Sequence, residues 1–258
     1  MKKTRLFLLL MTLPLSLWAD DGDDFGTWLE LSAEKALPHN LSVGVETELR
    51  TLDNSTTLDR LSAGASLGYK AHKYLKFAAG YNFLEDYHPE KAGKKWLTPK
   101  YWSHRHRFYA DATSSVKLWR WLRISGRVRY QFTHRAAQHI KRYECEGMDS
   151  NTGEYVYDMD EADIKYKECE NRQVLRSRIK LQVDKKHLDW SPFVSVEFHN
   201  NVAAGAHMNF DKLRTSVGTR YKINKRNDLS LSYVMTLDRM SHPYTHMHAL
   251  CAGYSYEF

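Results

Sequence analysis

The chain has 258 residues, 42% of them hydrophobic and 27% charged, with a formal net charge of +7 at pH 7. That length suits one large domain or one medium barrel, and so small a positive excess gives no basis for a nucleic-acid partner. No Walker loop, dinucleotide fingerprint, zinc-protease helix or EF-hand loop is present, so no cofactor is expected.

The first segment has the form of a secretory signal. Lys2, Lys3 and Arg5 make a positive end, and an apolar run follows from Leu6 to Leu17. Cleavage is expected after Ala19, with Asp20 opening the mature chain. Removing residues 1–19 lowers the formal charge from +7 to +4 and places the protein in an exported compartment. Beyond this segment no apolar run approaches the ~20 residues of a spanning helix. For an integral membrane protein that leaves the closed β-barrel, the other fold that satisfies its own backbone hydrogen bonds in lipid. Sixteen Tyr and seven Trp suit two aromatic interfacial belts.

The mature chain then alternates in period two, the signature of half-buried strands. Phe25 to Ala36 is a candidate strand carrying Glu30 and Glu34 on its polar face. Leu41, Val43, Val45, Thr47 and Leu49 oppose Glu46, Glu48 and Arg50. Strands follow at Leu61 to Lys70 and Leu75 to Phe83. His106, Phe108, Ala110 and Ala112 oppose Arg105, Arg107 and Asp111. Leu122, Ile124, Val128 and Tyr130 oppose Arg123, Arg127 and Arg129. Leu175, Ile179 and Leu181 oppose Arg176, Arg178 and Lys180. Val194, Val196 and Phe198 oppose Glu197, and Leu213, Val217 and Tyr221 oppose Arg214 and Arg220. Leu229 to Leu237 and Ala249 to Phe258 complete the series. Most of these segments match the ~9–11 residues of tilted membrane strands rather than the five or six of soluble ones.

Short links at 71–73, 117–121, 185–189 and 224–227 alternate with longer ones at 53–58, 86–102, 135–172, 200–210 and 239–246. Short periplasmic turns and longer external loops are the outer-membrane pattern. Ten strands run from Leu41 to Phe258, and Phe25 to Ala36 makes an eleventh. Because bacterial single-chain barrels have even counts, the expected architecture is an all-β, transmembrane, antiparallel β-barrel of 10–12 strands, with twelve preferred over ten. Segments 154–157 and 164–167 are candidates for a missed hairpin inside the longest loop. The domain reading is a signal peptide at 1–19 and one outer-membrane barrel at 20–258, with the long external loop at 135–172.

Several residues invite a functional reading. The charged inward face is either an Arg–Glu network that plugs the lumen or a narrow, anion-preferring passage. His104 and His106 share a strand face, and His242, His246 and His248 cluster near the last loop; neither set offers a complete ligand shell, and no metal is assigned. Ser103, Ser114, His104, His199 and Asn200 supply the residue types of a hydrolase, without a motif joining them. Cys145 and Cys169 both lie in the longest loop, and an exported compartment permits a disulfide between them. Cys251 is expected free and buried on the inward face of the last strand.

The closing residues place Leu250, Ala252, Tyr254, Tyr256 and Phe258 on one strand face. Tyr254, Tyr256 and Phe258 resemble the closing strand of bacterial outer-membrane barrels and the signal read by their insertion machinery. Taken with Phe25-Gly26-Thr27-Trp28-Leu29-Glu30-Leu31, Arg105-His106-Arg107-Phe108 and the run Leu122 to Tyr130, the chain resembles an uncharacterised family of Bacteroidota outer-membrane barrels, the domain of unknown function 2490 family. The resemblance covers roughly residues 25–258 and supplies no catalytic residues.

The resulting reading is an outer-membrane barrel of unknown specific role, with a narrow passage or binding site for small anionic solutes. Its partners would be outer-membrane lipid and lipopolysaccharide, the barrel assembly machinery and a small anion. Two alternatives stay open: an outer-leaflet lipid hydrolase or deacylase, and a structural or adhesion barrel acting through loop 135–172.

Overall fold

The computed structural model describes residues 24–150, 152–185, 188–203, 209–238 and 245–258. The expected signal segment and His242 lie outside the described residues. Fifteen strands are described: β1 (Asp24–Ala36), β2 (Leu41–Leu52), β3 (Thr57–His72), β4 (Leu75–His88), β5 (Lys91–Ala92), β6 (Trp96–Thr98), β7 (Tyr101–Lys117), β8 (Leu122–Arg135), β9 (Gln138–Met148), β10 (Tyr155–Lys167), β11 (Glu170–Val183), β12 (Trp190–Asn201), β13 (Asn209–Lys222), β14 (Asn227–Asp238) and β15 (Thr245–Glu257).

Eleven of them close a barrel in the order β1-β15-β14-β13-β12-β11-β8-β7-β4-β3-β2. Eleven falls within the expected 10–12, one short of the preferred twelve. The odd count has a geometric consequence. Hairpins reverse direction at every step, so the first and last of eleven strands run the same way. The closing pair β1–β15 is therefore parallel, from Asp24↔Met247 to Glu34↔Glu257, while every other barrel neighbour is antiparallel. Eleven strands spaced ~4.8 Å apart and tilted ~40° close at about 22 Å across, backbone to backbone.

Local chemistry sets the short turns. Pro38 opens the β1–β2 turn, and His39 and Asn40 both take φ near 61°. Two consecutive positive φ values make a type I′ turn, whose twist matches that of the strands it joins. The Leu41 amide closes it by donating to the Pro38 carbonyl at 3.4 Å.

The barrel turns the usual protein inside out. Leu31, Val45, Leu67, Phe108, Val128, Ile179, Val194, Val217 and Leu250 are all exposed, and all lie on the outward face. Such a continuous apolar band is stable only against hydrocarbon. Aromatic pairs mark its two edges. Trp119 stacks on Trp121 at the short-turn end, with ring centroids 5.8 Å apart, and Tyr87 meets Trp102 at the long-loop end. The protein is thus a multi-pass outer-membrane β-barrel.

The two long loops 86–102 and 135–172 do not run free. They join in a second sheet of order β10-β9-β6-β5. Its main part is the β9–β10 hairpin, and here the expected hairpin is corrected: residues 155–157 and 164–167 both fall on β10 and pair with β9, not with each other. Cys145 and Cys169 are both free, which corrects the expected disulfide. Gln138 pairs with Lys167 at the hairpin base, whereas Cys145 pairs with Tyr157 far along it. Cys169 lies beyond the base. Seven residues at ~3.3 Å each place the thiols about 20 Å apart, and a disulfide needs Cα atoms within ~7 Å.

Candidate functional site: the charged lumen

Small residues line part of the inner wall because long side chains from other strands need the space. Gly80 faces Tyr109, and a Cβ there would approach the phenol ring to 2.5 Å. Asn82 and Ser195 are buried polar residues on the inward positions of their strands. This wall encloses a cavity of about 380 Å³. A second, of about 160 Å³, lies toward the long-loop end, where Arg135, Glu170 and Arg172 reach it from the ends of β8 and β11. Arg50, Arg107, Arg176 and Arg214 border both cavities.

Most of the sequence-predicted residues meet here. Glu46, Glu48, Arg50, Arg107, Arg127, Arg129, Arg176, Arg178, Lys180, Glu197, Arg214 and Arg220 line the larger cavity, as does Glu30. Arg105 lines the smaller one. Asp111 is buried beneath Arg129, whose Nη2 and Nε donate to it at 2.5 and 2.9 Å. Arg123 is placed elsewhere. It sits at the short-turn end and donates to Asp184 on the β11–β12 connection at 2.5 Å. Lys117 pairs with the same carboxylate at 2.8 Å. The hydrogen bond from Lys117 outweighs the opposing effect of burial and, with the bond from Arg123, holds the Asp184 carboxyl below its ordinary range.

Some lumen charges are paired. Glu197 accepts from Arg127 and Arg176, each at 2.9 Å, and His199 Nε2 lies 3.5 Å from it. Glu48 is held by Arg50 through Nε and Nη2 at 2.7 and 2.8 Å. Others are not. Among the described residues no carboxylate lies within 4.0 Å of Arg107, Arg178, Lys180 or Arg214, and no cation within that distance of Glu30 or Glu46. Lys180 instead holds its ammonium 3.9 Å from the Phe193 ring centroid. Nine cationic and four acidic side chains line the larger cavity, so pairing within it cannot neutralise its wall.

Sequence reasoning missed three contributors. Trp28 points inward and is 3% exposed, with the Arg50 and Arg214 guanidiniums 4.1 and 4.7 Å from its ring centroid. Aromatic residues near strand ends read as interfacial, but here the ring quadrupole serves two cations inside the barrel. Arg60 and Asp86 were hidden by strand ends drawn too short. β3 begins at Thr57 and β4 runs to His88, which lets Asp86 accept from Arg60 at 2.5 Å and pair with Arg105 at 2.8 Å.

The hydrolase residue types are not brought together. Ser103 is 1% exposed and faces inward, while His104 on the next position faces outward and bonds Glu85 at 2.6 Å. Ser114 pairs with Leu75 at the short-turn end of β7, far along the strand from His104. His199 is inside beside Glu197, and Asn200 follows on the opposite face. His106 bonds Tyr81 at 2.7 Å, and His248 bonds Tyr233 at 2.6 Å, on separate parts of the outer wall. Among the described residues no group of three His, Cys, Asp or Glu side chains is placed to hold a metal. Cys251 is buried with Trp28, Val234 and Ala249 in the main apolar cluster of the inner wall.

The family model described as "Protein of unknown function (DUF2490)" matches residues 25–246. The chain belongs to this family. No curated protein matches it. Among solved structures, this DUF2490 barrel is similar to the translocator domain of autotransporter NalP from Neisseria meningitidis. The two are 10% identical, the alignment covers 94% of this chain and 90% of that one, and the TM-score is 0.48.

Proposed function

We propose that this DUF2490 protein provides a narrow, anion-preferring passage or binding chamber through the outer membrane. The observation that carries the reading is the excess of nine cationic over four acidic side chains around the larger cavity. Arg107, Arg178, Lys180 and Arg214 have no carboxylate neighbour among the described residues, so their positive potential is directed at whatever enters. In a confined space with low-dielectric walls, such a potential concentrates anions and repels cations. The cavity is large enough for a small solute and far too small for a folded chain.

The outer wall would contact outer-membrane lipid and lipopolysaccharide, and Tyr254, Tyr256 and Phe258 would be read by the barrel assembly machinery. The functional reading is tested by efflux from vesicles holding the folded protein. Chloride and phosphate should leave faster than potassium at matched gradients. Equal or faster potassium release would sink it.

A further inference from the structure

The charges left over after internal pairing are not spread evenly. Glu30 stands on β1 and Glu46 on β2, two strands that are adjacent in the barrel. Arg178 and Lys180 stand on β11. Around the closed order β11 is five strands from β1 in one direction and five from β2 in the other. It is therefore the strand opposite the β1–β2 pair. All four side chains line the same 380 Å³ cavity.

Each wall lacks a partner of its own. Among the described residues Glu30 has no ion pair, and Glu46 only accepts a hydrogen bond from Asn82 Nδ2 at 2.6 Å. Opposite them, Glu197 is occupied by Arg127 and Arg176, and Asp111 by Arg129, leaving Arg178 and Lys180 without a carboxylate. The charged stems on both walls narrow a lumen about 22 Å wide at the backbone. A solute in that space meets acid on one side and base on the other.

We infer that the cavity selects a small zwitterionic solute of net negative charge, an acidic amino acid or short acidic peptide. Its ammonium faces Glu30 and Glu46, and its carboxylates face Arg178 and Lys180. This deepens the anion reading and rests on it. A simple dianion satisfies only the β11 wall and leaves the two acids of the opposite wall facing it, which like-charge repulsion penalises. A zwitterion satisfies both walls in one orientation. Arg107 and Arg214 keep the balance positive, which is why the solute carries an extra carboxylate.

The test compares L-glutamate with glutarate, the same five-carbon dicarboxylate without the ammonium. Binding to the folded, detergent-solubilised protein is measured by titration calorimetry, which does not require an open channel, and current block is measured in planar bilayers. Glutamate should bind about tenfold more tightly than glutarate, the worth of one charge-assisted contact. The double change Glu30→Gln and Glu46→Gln should erase that difference without weakening glutarate. Arg178→Gln with Lys180→Gln should weaken both. Equal or tighter glutarate binding to the native protein overturns the zwitterion assignment while leaving anion preference standing. Binding of neither ligand also overturns it. In that case bilayer selectivity shows whether the anion reading survives, because that reading fails only if anion preference is also lost.

Discussion

Arg176 Nη2 donates to Glu197 Oε2 at 2.9 Å across the β11–β12 step, inside the barrel. The same carboxylate receives Arg127 from β8, the strand on the far side of β11. Glu197 thus ties three consecutive strands and is itself 4% exposed. Removing one member of a buried pair leaves the remaining charge uncompensated, which costs about 3 kcal/mol. Glu197→Gln should lower the temperature at which the folded, fast-migrating gel form is lost. It should also strengthen anion preference, since one lumen acid disappears. An unchanged unfolding temperature would contradict the structural role given to this carboxylate.

Register is testable at adjacent positions on β13. Ser216 lines the cavity, whereas Val217 is 52% exposed on the outer wall. An Arg facing hydrocarbon costs about 2–4 kcal/mol near the midplane. Val217→Arg should therefore reduce folding yield in lipid vesicles, and Ser216→Arg should not. The reverse outcome would mean that the strand faces are exchanged.

The loop cysteines should behave as independent thiols. Cys169 is exposed and Cys145 partly so. Maleimide labelling of the folded protein without reductant should add two groups quickly and reach Cys251 only after unfolding. Mobility of the unfolded chain should be the same with and without reductant. A reductant-dependent shift would restore the disulfide.

Asp184 gives a pH signature at the short-turn end. Its folded pKa lies below the ordinary 3.8 because Lys117 and Arg123 bond the ionised form. The sign follows directly. The unfolded state takes up a proton first as pH falls, so the stabilisation is complete above about pH 4 and is lost as pH drops through the folded value. The site is partly exposed, so the effect is about 0.5 kcal/mol. Asp184→Asn should lower stability at pH 7 and match the parent at strongly acidic pH. A difference that persists in acid would show that charge pairing is not its cause.

The barrel was legible because its two faces meet different solvents. Lipid on one side and a charged lumen on the other impose a strict two-residue period, and Leu122 to Tyr130 or Leu175 to Leu181 state it without ambiguity. The same period put Arg127, Arg176, Arg178, Glu197 and Arg214 on the correct face. The odd closure was not legible, because the β1–β15 pairing joins residues more than two hundred positions apart and leaves no local mark. Trp28 was missed because a Trp near a strand end fits an interfacial belt as well as a cation-stacking role. The cysteine pairing failed because proximity within a loop says nothing about distance once that loop folds into a long hairpin. Which charges remain unpaired could not be read at all, since pairing depends on register between strands, as with Asp111 and Arg129 or Asp86 and Arg60.

The most direct measurement of the central claim is the reversal potential of the folded protein in a planar bilayer under a tenfold potassium chloride gradient. The account predicts a potential displaced toward the chloride equilibrium value, and a smaller displacement after Arg178→Gln with Lys180→Gln. A displacement toward the potassium value, or one that the two substitutions leave unchanged, would contradict it.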